Sequence, residues 1–137
     1  MSALSLSTRL TALPREALLR LALKLDAVVT GANGVAYLAA AEPLEDLLGL
    51  PPSLLRPAGA FLVLFAVVVW LVATRPVVSR AAVLAVVAAN TLWVVDSLAF
   101  LALGWSSPTT AGGVWIALQA AVVAGFATLQ AYARRPE

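Results

Sequence analysis

Four predominantly apolar runs, at about residues 21–41, 57–74, 81–103 and 114–133, alternate with short polar or proline-bearing segments. Each run is close to the ~20 residues that cross a ~30 Å hydrocarbon layer at ~1.5 Å per residue. The pattern therefore predicts an all-α, polytopic membrane protein of four transmembrane helices in an up-down bundle, forming one domain. Pro14 sits where a first helical residue would be, since its missing N–H is not needed there and its φ is already helical. A helix from Pro14 enters the first span through the interface. Residues 1–20 read as a cytoplasmic N-terminal segment, the Ser-, Thr- and Arg-containing start suiting a frayed or amphipathic stretch. Residues 42–56 carry Pro43, Gly49, Pro51 and Pro52, so they read as an outer loop, in which Leu44, Leu47 and Leu48 mark a short interfacial helix.

Charge orients these elements. Arg9, Arg15, Arg20 and Lys24 stand at the head of the first run, Arg75 and Arg80 between the second and third, and Arg134 and Arg135 after the fourth. The alternate connections carry the acids Glu42, Glu45 and Asp46, or no charge between Gly104 and Gly113, and Arg56 is the one basic exception. This is a positive-inside pattern with both termini cytoplasmic, in a cell inner membrane. Trp70 and Tyr132 near the inner boundary, and Tyr37, Trp105 and Trp115 near the outer one, agree as interfacial belts. Arg20, Arg75 and Pro76 recur as Arg80, Arg135 and Pro136. This fits a faint parallel repeat of two hairpins, or two hairpins sharing flanking charges by topology alone.

Composition removes several function classes. A hydrophobic content of 62%, a mean hydropathy of +0.96 and 12% charged residues exceed what one soluble core of this size would hide. The pI near 9.7 reflects a net charge of only +2 spread over separate segments, so no nucleic-acid partner is expected. With no Cys and no His, disulfides, thiol redox chemistry, structural zinc and histidine acid–base catalysis are excluded. No metal-ligand spacing or phosphate-binding glycine loop is present, so neither metal nor cofactor is expected. The first run exceeds a signal-peptide core of ~7–15 residues and contains Asp26 and Asn33, so it is expected to be retained. The Ala-, Leu-, Val- and Arg-rich composition, with Lys24 the sole lysine, points to a GC-rich bacterial genome.

Polar side chains inside spans are costly and so carry the functional signal. Asp26, Thr30, Asn33 and Tyr37 follow i, i+4, i+7, i+11 and share one face of the first helix. Asn90, Trp93, Asp96, Ser97 and Phe100 form a polar and aromatic sector of the third. Trp115, Gln119, Phe126 and Gln130 line up on the fourth. Counted from the outer ends, Asn33, Asp96 and Gln119 lie at similar depth and could meet in one layer. Asp26, close to Lys24 and Arg20, reads as an inner-interface carboxylate with hydrated partners, or else as a buried one. Asp96 has no basic residue within a turn, so it is either the centre of a functional cavity walled by Trp93 or part of a network that glues helices together. The candidate binding residues are Asp26, Asn33, Tyr37, Asn90, Trp93, Asp96 and Gln119.

The stretches LDAVVTGANGVAYLAAAEPL, NTLWVVDS and GWSSPTTAGGVWIALQAAVVAGFATLQ together resemble the small, uncharacterised four-helix integral membrane proteins of actinobacteria, a resemblance that implies the fold and no activity. Small multidrug-resistance transporters are similar in helix number and in having an acid in the first span, but their motif around that acid is absent here. Three functions fit the residues. One is binding or transport of a small lipophilic or cationic solute around Asp96, which implies a homo-oligomer because four short helices enclose little volume. Another is an accessory protein whose polar layer is structural. The third is a cofactor-independent isomerase or cyclase of a lipid-like substrate, with Asp96 as catalytic general acid and Trp93 and Phe100 steadying a carbocation.

Overall fold

The computed structural model describes residues 14–104 and 107–135, all helical apart from caps and connections. The expected surface stretch before Pro14 and the belt residue Trp105 lie outside the described residues. The helices are α1 (Arg15–Ala39), α2 (Ala41–Leu48), α3 (Pro52–Thr74), α4 (Arg80–Leu103) and α5 (Thr110–Arg134). Three of them, α3, α4 and α5, are long and apolar enough to cross a membrane. The fourth long helix, α1, carries Arg15, Glu16, Arg20, Lys24 and Asp26 in its first half.

Local chemistry sets the ends. Ser79 accepts from the Ala82 N–H at 3.2 Å at the start of α4, and Thr109 accepts from the Gly112 N–H at 3.0 Å at the start of α5. These side-chain caps satisfy first-turn amides. Pro76 ends α3, holding Arg75 extended at φ −67°, ψ 149°, as a residue before proline prefers. At its other end α3 begins at Pro52 rather than near Pro57. Pro52 takes the first helical position, where proline is suited, and Pro57 sits one turn further in, where it removes one ladder bond close to the helix start.

Around the bundle the order is α3, α1, α5, α4. Extensive contacts join α1 to α3 and α4 to α5, α1 and α5 join these two pairs, and α3 and α4 barely touch although they are consecutive. The α1–α3 seam depends on Gly34 and Gly59: a Cβ on Gly34 would lie 2.8 Å from the Gly59 carbonyl oxygen, and one on Gly59 would lie 2.8 Å from that of Gly34. Only bare backbone allows this approach, the small-residue packing that membrane helices favour. At one end of the bundle α2 folds back onto α5. Thr109 donates its N–H to the Leu48 carbonyl at 3.0 Å and its hydroxyl to the Leu47 carbonyl at 2.7 Å, and Gly112 sits against the Leu48 carbonyl where no side chain fits.

The arginines at the opposite end close the hairpins. Arg20 donates to the carbonyls of Ala73 (2.9 Å), Arg75 (2.6 Å) and Pro76 (2.8 Å) at the C-terminus of α3. Arg80 donates to the Arg134 carbonyl at the C-terminus of α5, and Arg134 returns a bond to the Arg80 carbonyl at 2.8 Å. Cations placed on free helix-terminal carbonyls also complement the helix dipole. The recurring arginines at 20 and 80 thus do the same work in each hairpin. Arg15 donates to the Arg135 carbonyl at 3.4 Å and lies 5.0 Å from the Tyr132 ring centre, so the two ends of the described chain meet on this face. The acids of α2 and the Arg56–Glu42 ion pair (3.3 Å) occupy the other end.

The core is split. Toward the arginine-bearing end of the bundle, an inner apolar cluster joins Leu19, Leu23, Ala27, Val69, Ala73, Val83 and Val86, and toward the α2 end an outer one joins Ala41, Leu48, Leu50 and Leu55. Polar side chains fill the level between them. Outward, large apolar residues such as Leu64, Val68, Leu92, Val95 and Leu118 are exposed on every apolar helix, a surface suited to lipid and not to water.

Candidate functional site

Two polar clusters and a cleft lie between the helices. In the inner cluster Asp26 is fully buried, at 0% exposure. One carboxylate oxygen, Oδ1, accepts from the Thr30 hydroxyl at 2.8 Å. The other, Oδ2, accepts from Asn90 Nδ2 at 2.8 Å and Gln130 Nε2 at 2.7 Å, and Asn90 Nδ2 also reaches Gln130 Oε1 at 3.1 Å. One carboxylate thereby ties α1 to α4 and α5, and among the described residues no buried side-chain nitrogen or oxygen lacks a partner. Among the described residues no basic group pairs with Asp26. Lys24 turns away, with Nζ 5.9 Å from the Trp70 ring centre.

The outer cluster is smaller. Asn33 Nδ2 donates to Gln119 Oε1 at 2.6 Å, and Trp115 Nε1 donates to the Tyr37 hydroxyl at 2.8 Å. Both bonds join α1 to α5. Asp96 does not enter this layer.

Asp96 is exposed and forms no hydrogen bond or ion pair among the described residues. It stands at the rim of a cleft of about 560 Å³ lined by Tyr37, Leu50, Leu54, Leu55, Ala58, Trp93, Asp96, Ser97, Phe100 and Ile116. The cleft exists because α3 and α4 splay apart. Further inward the gap is bridged by aromatic rings, with Phe61 stacked on Trp93 (centroids 6.0 to 6.1 Å for the Phe61–Phe65 and Phe61–Trp93 pairs). Two small recesses adjoin the cleft near these rings. The nearer, about 60 Å³, shares Tyr37, Trp93, Ser97 and Ile116 with the cleft and is also lined by Thr30, Asn33 and Gln119. The farther, about 20 Å³, shares Thr30, Leu62, Trp93 and Val123 with the nearer one and reaches Asn90.

The sequence-selected residues therefore separate into distinct places. Asp26 and Asn90 form the inner cluster, Asn33 and Gln119 bond to each other, and Tyr37 and Trp93 line the cleft with Asp96. The expected hydrated, interfacial Asp26 is corrected to a buried one. At ~100° per residue Lys24 lies on nearly the opposite side of the helix from Asp26, so nearness in sequence gave no nearness in space. The expectation of a common Asn33, Asp96 and Gln119 layer is likewise corrected, because α4 leans away from α3 and carries Asp96 to the cleft rim. Sequence reasoning missed two partners of Asp26 as site residues, Thr30 and Gln130. Thr30 stands one turn from Asp26 on its face; Gln130, beside the terminal arginines of α5, shows no local sign of a buried partner.

Comparison with known protein families, curated proteins and solved structures finds no match for this chain. Function therefore has to be read from the geometry.

Proposed function

We propose that the chain spans the membrane four times with its arginine-rich end in the cytoplasm. In this reading the cleft between α3 and α4 takes up a small lipophilic molecule with a cationic head, held at Asp96. For α1 as the fourth span, its exposed face offers Leu21, Leu25, Val28, Val35 and Leu38, while Asp26 and Thr30 turn inward. Arg20 and Lys24 lie toward the basic end, where long cationic side chains reach the interface.

The observation that carries the ligand reading is a carboxylate that has no partner among the described residues and stands at the rim of an apolar, aromatic-lined cleft. Its volume falls in the ~300–1,000 Å³ range of small-molecule sites. A lone carboxylate at membrane depth is costly, and an organic cation offsets that cost beside the aromatic side chains of Trp93, Tyr37 and Phe100, which line the cleft and can attract a cation. A second copy of the chain closing the lipid-facing side belongs to the same reading as a homo-oligomer.

Binding of tetraphenylphosphonium to the protein in phosphatidylcholine nanodiscs, read from tryptophan fluorescence, tests this. The expected result is saturable binding weakened about tenfold in Asp96→Asn, the effect of losing roughly 1.4 kcal/mol, and lost when Ala58→Phe fills the cleft. Equal binding by all three proteins, or none by the wild type, would overturn it. A second reading, a structural polar layer in an accessory protein, is favoured by one observation: the Asp26 cluster is completely hydrogen-bonded. It expects Asp96→Asn to change nothing.

A further inference from the structure

Asp26 has no part in holding a ligand at Asp96, yet the recesses lead from that cleft to its hydrogen-bond partner. We infer that Asp26 is a proton-exchange site, reached from the outer cleft through the two recesses and the Thr30 hydroxyl. The inference rests on the membrane-embedded fold and is independent of what the cleft binds.

Three features support it. The recesses adjoin one another and the cleft, sharing lining residues, and polar groups mark each stage: Ser97 and Tyr37 at the cleft, Asn33 and Gln119 in the nearer recess, Asn90 in the farther one. Their volumes of about 60 and 20 Å³ exceed the ~10–15 Å³ that one water requires, and polar side chains give such waters partners. Thr30 lines both recesses and donates to Asp26 Oδ1 at 2.8 Å. Oδ1 accepts from Thr30 alone, whereas Oδ2 already accepts two amides, so Oδ1 is where a proton arrives.

The step balances simply. A protonated water in the recess gives a proton to Thr30 Oγ1 as the hydroxyl's own proton moves to Asp26 Oδ1, leaving neutral water behind, and release runs in reverse. Among the described residues, the surroundings of Asp26 contain no competing ionisable group. On α1, Lys24 is turned to Trp70 and Arg20 to the end of α3, and Tyr37 is bonded to Trp115. The packed faces of α4 and α5 supply only the amides of Asn90 and Gln130. The charged groups on these helices lie elsewhere: Arg80 and Arg134 are bonded at the basic end, Arg56 is paired with Glu42, and Asp96 is at the cleft rim.

The test is infrared pH-difference spectroscopy on the full chain in phosphatidylcholine nanodiscs. Carbon-13-labelled aspartate limits the signal to Asp26, Asp46 and Asp96, the chain's three aspartates. The expected result is a protonated-carboxyl band that forms on acidification, persists in Asp96→Asn and disappears in Asp26→Asn. Asp26→Asn keeps the fold, because its amide oxygen can accept from Asn90 and Gln130 while its NH2 donates to Thr30. Exchange of that band in heavy water should slow by on the order of a hundredfold in Thr30→Val, recover in Thr30→Ser, and slow in Val123→Phe, which fills space in both recesses and replaces no hydrogen-bonding group of the Asp26 cluster. A band unchanged in Asp26→Asn would overturn the inference, as would the absence of any band. Unchanged exchange in Val123→Phe would overturn the route even if Thr30→Val does not fold. Since this readout follows Asp26 and tetraphenylphosphonium binding follows Asp96, either can fail alone.

Discussion

Replacing Asp26 by Ala and by Asn separates what its carboxylate does for the fold from what its charge does. In Asp26→Ala the Thr30 hydroxyl can turn to a backbone carbonyl of α1, and Asn90 keeps its 3.1 Å bond to Gln130. Gln130 Nε2, however, loses its acceptor at 2.7 Å inside a fully buried site. An orphaned buried donor costs about 1–3 kcal/mol, and each lost interhelical bond in a membrane protein costs about 0.6 to 1.7 kcal/mol. These overlap, giving roughly 2–4 kcal/mol, or about a 30-fold or greater fall in the folding equilibrium. Asp26→Asn preserves every bond by the rearrangement described above and loses only the extra strength of a charged acceptor, about 1 kcal/mol or less. Reversible unfolding in mixed dodecylmaltoside and dodecyl sulfate micelles, followed by circular dichroism, measures both. Equal damage from Ala and Asn, or none from Ala, would refute the hydrogen-bond account.

Other parts of the fold make sharper or milder predictions. Gly34→Ala places a methyl group 2.8 Å from the Gly59 carbonyl and 2.9 Å from the Val63 nitrogen; forcing α1 from α3 should cost about 1–3 kcal/mol in the same unfolding assay. Gly125→Ala, which meets nothing within 4 Å, should instead stabilise by about 0.5–1 kcal/mol. Arg20→Ala, losing three carbonyl contacts from a partly buried guanidinium, should cost about 1–2 kcal/mol, and Arg20→Lys should recover less than half of it, because a single ammonium cannot fork across those carbonyls.

Helix existence was legible because apolar runs of spanning length and the prolines at 14 and 76 act locally; the caps at Ser79 and Thr109 emerged only in the structure. The basic end was legible for a physical reason beyond insertion: the arginines that mark it also bond the free carbonyls of α3 and α5. What periodicity cannot encode is how far apart two helices lie. Asp96 and Asp26 each carry their own helix pattern, yet the Gly34–Gly59 contact draws α3 to α1 while α4 follows α5. The resulting gap exposes Asp96, and the close side of the bundle buries Asp26. Asn33 and Gln119 met because depth alone sufficed for them; Gln130 shared the polar face of α5, but its approach to Asp26 is tertiary and the pattern did not name that partner.

The orientation of the cleft and the route to Asp26 both depend on α1 crossing the membrane. Because the chain has no cysteine, single cysteines can report sidedness in intact bacterial cells with a membrane-impermeant maleimide. Glu45→Cys should label from outside, whereas Glu16→Cys and the highly exposed Val77→Cys (80% exposed) should label only after permeabilisation. Glu16→Cys labelling from outside alongside Glu45→Cys would leave α1 on the surface and contradict the four-span account.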